Sequence, residues 1–440
     1  MKNLLFLFKM LVMILALFLI SILSVSADSS QNKKYIEKYI AESLDLMLDR
    51  IDVYEFGCRE SEIFDAIDKV MKSNPDFYYV ANKFYYSLDE RGIVEEITPT
   101  YTYSAAEVKN IKAYCDGEIS KILFSVDGRM SDFQKALTLH EYMCENFEYD
   151  TSFKNCNMYD LLRTGSGTCQ AFTLTYMELL SRAGIESSYA YSDEIMHIWN
   201  LVRLDGEWYH VDITWDNIDV GVSHKNFLLT DREILDNGHR GFVNANGVEC
   251  KGERYSGTSL QSNPYKCVAF ENGVVYADNI SRSVYFDLLY GSEKTLLYRI
   301  DELWEKGEGR YYANSFSSPI LAGNKVYFNT KNKIMEIDES LSVSLVKTLD
   351  FNAFGMADGE GLTCFVDRTQ GECREIHIEK SLDADGDGEL TVLDIAALDA
   401  NLCRKDVFMY KYNVDANGDR RLDEMDLCAL ESGLMIDKSA

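Results

Sequence analysis

Proline is nearly missing from this chain, with four residues in 440. That scarcity excludes a polyproline or collagen-like architecture and any long proline-rich linker. Positive charge is also short: 44 Lys+Arg stand against 72 Asp+Glu, a net charge of −28 with a pI near 4.6. Nucleic acid is excluded as a partner on that ground, because phosphate recognition needs a basic face. No paired-carboxylate motif of a glycosidase stands out. Beyond the N-terminus, no apolar run approaches the length of a membrane span. Apolar residues themselves are plentiful at 46%, enough for buried cores, and the length suggests two to four domains.

The first residues point to secretion. Lys2 and Lys9 precede an apolar run from Met10 to Ile20, and Val25-Ser26-Ala27 offers a small-residue cleavage site before Asp28. This is the pattern of a signal peptide over residues 1–27, rather than an uncleaved anchor. The expectation is a secreted, extracellular protein with no membrane partner once the signal is cleaved. The eleven cysteines are an odd number, compatible with five disulfides and one thiol or with a largely reduced protein.

Four segments follow. Residues 28–125 read as an α/β region packing on the core. A helix is expected at Tyr35–Leu48, with Ile36, Tyr39, Ile40, Leu44 and Leu48 on one face. A second is expected near Ser61–Lys72, opened by Ser61 and stopped by Asn74-Pro75. Phe77–Val80 and Phe84–Tyr86 read as strands, their tyrosines as half-buried strand faces.

Residues 126–250 carry the chemistry. Ser131–Asn146 is helical, with Phe133, Ala136, Leu137, His140 and Met143 on one face, and His140 reads as a packed core residue. Gly165-Ser166-Gly167-Thr168-Cys169 then feeds a cysteine into the first turn of a helix, Gln170–Ala183, closed by Gly184. The partial positive charge of a helix N-terminus favours thiolate over thiol. Met196–Val202 and Trp208–Ile213 alternate as strands, joined by the hairpin signal Asp205-Gly206. Such a hairpin can set His197 beside Asp212. A thiol nucleophile needs a base within reach, and the base needs a carboxylate to hold its tautomer. Cys169, His197 and Asp212 offer these roles, 28 and 15 residues apart. His210 shares a strand face with Asp212 and competes for it. Trp199, Asn200 and Trp215 either line a cleft or pack around the triad. His224 and His239 read as ordinary surface or loop residues.

Gly-Thr-Cys169 with its helix, His197-Ile-Trp-Asn200 and the run Asp205 to Asp216 together resemble the bacterial transglutaminase-like superfamily, papain-related in fold. The resemblance reaches upstream to Asn146-Phe147-Glu148-Tyr149-Asp150 and downstream to Asn226–Leu229, covering roughly residues 130 to 235. It implies Cys169 as nucleophile, His197 as general acid/base and Asp212 as its orienter, with no cofactor. It also places the base at His197 rather than His210. Family members include transglutaminases, peptidases, amidases and inactive relatives.

Residues 255–380 repeat a short strand pattern at Gly273-Val-Val-Tyr, Gly323-Asn-Lys-Val-Tyr and Gly361-Leu-Thr-Cys. Three units are too few for a closed propeller, so a small all-β accessory module is expected. Residues 381–440 hold a clustered share of the acid. Asp383, Asp385, Asp387, Thr391 and Asp394 fall at positions 1, 3, 5, 9 and 12 of a calcium loop. Asp415, Asn417, Asp419, Asp423 and Asp426 repeat the spacing 32 residues later, with Arg420 where the first copy has Gly388. Each copy leads into an apolar helix, Ile395–Leu402 and Leu427–Leu434. These duplicated loop-helix units resemble a type I dockerin. The resemblance implies two Ca²⁺ ions and docking to a cohesin module of a scaffoldin, as in cellulosome-like complexes.

The expected architecture is therefore a multidomain α+β protein: a transglutaminase-like (papain-like) core, a small all-β module and a two-loop calcium-binding helical dockerin. The expected function is a scaffold-attached thiol hydrolase, a peptidase or amidase acting on a protein or peptide substrate. Amine acyl transfer and a non-catalytic adaptor role are the alternatives.

Overall fold

A computed structural model of the chain describes residues 29–437, apart from 128–129, 219–221, 279, 290–293, 303, 308–309, 313–317, 359–361, 368–371, 377–381, 388, 404–408, 418 and 420. The signal segment 1–27, Gly361, Gly388 and Arg420 thus lie outside the described residues. Among the described residues no helix is long and apolar enough to cross a membrane. The chain forms two compact units, one ending at Asn110 and the other beginning at Ile111.

In the first unit, α1 (Ser29–Asp45) is followed by β1 (Ile51–Asp52), α2 (Glu60–Ser73), β2 (Val80–Leu88) and β3 (Val94–Tyr101). The two helices pack together, and the strands form an antiparallel sheet in the order β1-β3-β2. Its core is built from Ile36, Ile40 and Leu44 of α1, Ile63, Ile67 and Val70 of α2, and Val94 and Ile97 of β3. Helix α2 starts earlier than Ser61. Arg59 is its N-cap residue, and Glu62 reaches back to accept the Arg59 backbone N–H at 3.0 Å. Phe77–Tyr79 is a 3-10 turn rather than a strand, entered through Asp76 in a helical conformation after Asn74-Pro75. That turn buries Phe77, Tyr78 and Tyr79, where an alternating strand would bury every second residue.

Helix α3 (Ala105–Ile122) spans the boundary in sequence. The second unit continues with α4 (Asp132–Asn146), β4 (Glu148–Tyr149), α5 (Met158–Thr164), β5 (Ser166–Gly167) and α6 (Cys169–Arg182). Ser131 caps α4 in a reciprocal box with Gln134. Next come β6 (Ser187–Ser192), β7 (His197–Leu204), β8 (Glu207–Val211), α7 (Ile213–Asp216), β9 (Phe227–Leu229), α8 (Asp231–Asp236) and β10 (Val243–Asn244). These strands make an antiparallel sheet ordered β10-β6-β7-β8-β9. Asp205 (φ 51°) and Gly206 (φ 86°) form the tight β7–β8 turn, both in the left-handed region. Helix α6 lies against β7 and α4, and the Tyr176 hydroxyl donates to the Ala136 carbonyl at 2.8 Å.

The β-rich region comprises β11 (Cys267–Phe270), β12 (Gly273–Asp278), β13 (Ser283–Leu288), β14 (Thr295–Arg299), β15 (Trp304–Gly307), β16 (Arg310–Tyr312), β17 (Ile320–Ala322), β18 (Lys325–Asn329), β19 (Lys333–Ile337), β20 (Val343–Thr348), β21 (Met356–Asp358), β22 (Leu362–Asp367) and β23 (Glu372–Ile376). They form four small antiparallel sheets, β11 to β14, β15–β16, β17 to β20 and β21 to β23, each pairing sequence neighbours. Val275, Val284 and Phe286 of one sheet share a core with Val326, Phe328 and Ile337 of another.

The chain ends with α9 (Val392–Leu402), α10 (Lys411–Val414) and α11 (Glu424–Asp437) around Ala384, Leu398, Met409, Val414 and Leu430. Helices α9 and α11 begin three residues earlier than the apolar pattern suggests. Thr391 caps α9 by accepting the Leu393 N–H.

Candidate active site

Gly167 lets the chain turn tightly into α6, since a Cβ there would stand 2.8 Å from both Ala171 Cβ and Leu161 Cδ1. Cys169 is the first residue of α6, a half-buried free thiol. Two ties hold α6 against β7: Asn200 Nδ2 donates to the Thr173 carbonyl at 3.0 Å, and Thr173 Oγ1 donates to the Ile198 carbonyl at 3.2 Å. Beside these ties, the His197 ring and the Ile198 backbone N–H lie near the Cys169 sulfur and favour its thiolate.

Asp212 follows β8 directly and caps α7. Its Oδ1 accepts the Thr214 hydroxyl at 2.7 Å and the Thr214 and Trp215 amides at 3.1 and 3.3 Å. Its Oδ2 accepts His197 Nε2 at 2.7 Å and His239 Nε2 at 2.7 Å. With Nε2 spent on Asp212, the other nitrogen of His197 faces the thiol. The ring packs against both Trp199 and Trp215, each centroid 5.6 Å away. Trp199 is buried, whereas Trp215 is 40% exposed and forms an edge of the site.

The electrostatics follow from this packing. Burial alone disfavours the His197 imidazolium, but the Asp212 charge and hydrogen bond, with Cys169, overcome it and push the ring up to about 10. Burial likewise disfavours the Cys169 thiolate, and the His197 bond and charge with the Ile198 amide outweigh it, lowering the thiol. Buried Asp212 is held far below the usual carboxylate range by His197 and His239. The arrangement favours the charged forms of both groups, thiolate and imidazolium.

The three sequence-predicted residues are therefore together, and His210 is elsewhere. It is buried, accepts the Trp199 indole N–H on Nδ1 at 2.9 Å and bonds Asp231 through Nε2 at 2.8 Å. Burial lowers its pKa. His140 is buried in the core, with Nε2 3.2 Å from Asp216.

His224 and His239 are not surface residues; both are fully buried. Each is drawn inside by an acid from a distant stretch, Glu141 for His224 and Asp212 for His239. A carboxylate only accepts, so His239 donates its Nε2 proton and helps to hold Asp212. It lies in a loop with no motif around it, and no spacing rule could have found it.

Tyr149 is the other residue that motif reasoning left without a role. The parallel pairing of β4 with β5 sets Tyr149 opposite Gly167. Its hydroxyl lies within hydrogen-bonding reach of both the Cys169 sulfur and the Cys169 backbone N–H. Asp150 fixes the following loop by accepting the Ser152 hydroxyl and the Ser152, Lys154 and Asn155 amides.

In the C-terminal region, Asp394 Oδ1 accepts the Ala384 amide and Oδ2 the Thr391 amide, both at 2.6 Å. Asp426 repeats this with the Ala416 and Asp423 amides at 2.8 and 2.9 Å. Asp383, Asp385 and Asp394 bring carboxylate oxygens within 4.8 Å of one another, and Asp383 and Asp394 are buried. Like charges this close repel one another unless hydrogen bonds, protonation or a cation offset them.

Comparison with known proteins agrees with part of this layout. Residues 121–213 match the family model of the transglutaminase-like superfamily. Kyphoscoliosis peptidase of Mus musculus is 25% identical over 130 residues, and that of Homo sapiens 24% over 127. The match covers 24% of this chain but only 19% of the length of either relative. A solved structure titled as a TGase aligns over 29% of this chain and 43% of its own, at 13% identity and a TM-score of 0.21.

Proposed function

We propose, starting from the transglutaminase-like match, that this protein is a secreted thiol hydrolase that cleaves peptide or carboxamide bonds through a cysteinyl acyl-enzyme. The observation that carries the reading is the His197–Asp212 hydrogen bond at 2.7 Å, set beside the Cys169 thiol at the start of α6. The Cys169 thiolate attacks the substrate carbonyl and forms the S–C bond. The Tyr149 hydroxyl, beside the sulfur, donates to the oxyanion that develops. As the tetrahedral adduct collapses, the C–N bond breaks and the His197 imidazolium protonates the departing amine. His197, now neutral, takes a proton from water, which attacks the thioester and releases the acid. Asp212 holds the ring orientation throughout and stabilises its positive form. The peptidase name of the curated relatives favours water over an amine as acceptor.

We further propose that residues 381–440 are a dockerin, tethering the enzyme to a cohesin module of a scaffoldin. Asp383, Asp385, Asp387, Thr391 and Asp394 would hold one Ca²⁺, and Asp415, Asn417, Asp419, Asp423 and Asp426 a second. Bound Ca²⁺ neutralises the clustered carboxylates, so the module folds with its ions.

Incubation with casein and a fluorescent primary amine tests the catalytic reading. New N-termini without amine incorporation support hydrolysis, incorporation supports transfer, and neither product in wild type overturns both. Cohesin binding that survives a chelator would overturn the dockerin.

A further inference from the structure

Glu141 of α4, His224 of the loop before β9 and Cys267 at the start of β11 come from three separate stretches of the second unit. Their oxygen, nitrogen and sulfur atoms lie within 4.8 Å of one another, and all three residues are buried. Each donor atom is oriented from behind. His224 Nδ1 is 3.3 Å from the Asn263 carbonyl. A carbonyl only accepts, so Nδ1 carries a proton and Nε2 turns into the cluster. Asn263 Nδ2 donates to Cys267 Sγ at 3.4 Å, and the Cys267 amide donates to Glu141 Oε1 at 2.9 Å. Such second partners commonly hold metal ligands in place.

A further observation points to a missing ligand. Glu141 Oε2 is buried with no hydrogen-bond partner, an arrangement that costs the fold unless something meets it. Glu141 and Cys267 also line a cavity of about 1010 Å³, with room for a water at an additional coordination position.

We propose that Glu141, His224 and Cys267 bind a borderline-soft divalent cation of the zinc class, with water from the cavity as the fourth ligand. One sulfur, one imidazole nitrogen and one carboxylate oxygen suit tetrahedral Zn²⁺ and do not suit Ca²⁺, which takes oxygen ligands. The site is thus chemically distinct from the acidic loops. Binding displaces two protons, one from the Cys267 thiol and one from His224 Nε2, which now bonds Glu141 Oε1 at 2.6 Å. Thiolate, carboxylate, neutral imidazole and a dication sum to zero charge, which suits a buried cluster. The ion would tie α4 of the core to the first strand of the β-rich region.

A second cluster of the same residue types fails this reasoning. His210, Asp231 and Cys250 also converge within 4.8 Å, but the Trp199 indole N–H donates to His210 Nδ1. Nε2 of His210 therefore carries the proton toward Asp231 and has no lone pair for a cation.

The test uses the full chain, stripped of metal and returned to excess Ca²⁺ so that the acidic loops are saturated. One equivalent of Zn²⁺ should bind tightly, and Co²⁺ in its place should give a thiolate-to-cobalt charge-transfer band. Cys267→Ser should abolish the band and weaken Zn²⁺ binding about 100-fold, and Glu141→Gln should weaken it while keeping side-chain shape. Cys169→Ala and Cys250→Ser should retain the band. Wild type that takes up no stoichiometric Zn²⁺ overturns the proposal whatever the variants do. So does a band that survives Cys267→Ser or disappears in Cys169→Ala.

Discussion

Two of the sets of cysteine, histidine and carboxylate in the second unit, around Cys169 and around Cys267, treat their protons in opposite ways. Around Cys169 the imidazole stands between the acid and the sulfur, so positive charge faces the thiol and lowers its pKa. Around Cys267 the far nitrogen of His224 is taken by the Asn263 carbonyl, and acid and sulfur share the near side. Full burial and the Glu141 charge push that thiol well up. Position in the fold reinforces the contrast, because Cys169 opens a helix and is half-buried while Cys267 opens an enclosed strand. The order of the three groups, and which nitrogen holds the proton, decide whether they make a nucleophile or a store of ligands.

The largest test of that contrast compares the thiols directly. Cys169→Ala should abolish hydrolysis, a loss of at least roughly 10⁴-fold. In native protein without added metal at pH 7, iodoacetamide should label Cys169 at least about 100-fold faster than Cys267, read by peptide mass spectrometry. Equal labelling would erase the distinction. Next in size, Asp212→Asn should cut kcat by about 10⁴-fold with KM nearly unchanged, because the amide no longer enforces the reactive tautomer.

The pH dependence is a sharper probe of the same pair. Cys169 is lowered and His197 is raised to about 10, so both shifts move toward a thiolate–imidazolium pair near neutral pH. Alkylation of Cys169 should stay nearly flat there and fall only in acid as the thiolate is protonated. Turnover should fall above about pH 10, where the imidazolium loses its proton. His197→Gln should move the alkylation midpoint up toward the ordinary thiol value of about 8.5. An unmoved midpoint would mean that the histidine does not set the thiol.

His239→Ala should have a smaller effect, lowering kcat about tenfold by freeing one side of Asp212. His239→Gln can still donate to that oxygen and should retain more activity; equal losses would remove the carboxylate-holding role. The smallest expected effect on turnover is that of calcium removal. A chelator should raise hydrogen exchange across 382–437 while changing the hydrolysis rate by less than about twofold.

The amino-acid sequence made the candidate catalytic set readable for a physical reason. A cysteine at a helix start and a histidine and aspartate on one tight hairpin are local patterns, and local patterns survive in one dimension. The three-turn face of α4 and the Asp205-Gly206 turn were legible in the same way. His224 and His239 were not, because what buries each of them is an acid 83 or 27 residues away. Tyr149 depends on a two-residue parallel pairing with Gly167, too short to leave a periodic signal. The turn at Phe77–Tyr79 misled because three consecutive aromatics favour a strand by propensity, while the preceding Asn-Pro-Asp keeps the chain turning.

Lys411, between the two acidic loops, donates its backbone N–H to Asp127 and its ammonium to the Leu123 and Val126 carbonyls just before α4. That contact has a consequence for a tethered enzyme. A catalyst on a slack leash samples a broad volume and meets every substrate within its radius at a modest effective concentration. A catalyst clasped to its own anchor points its cleft in one direction, so neighbouring targets are met at high effective concentration or not at all. In the proposed complex, geometry would then select substrates before chemistry does.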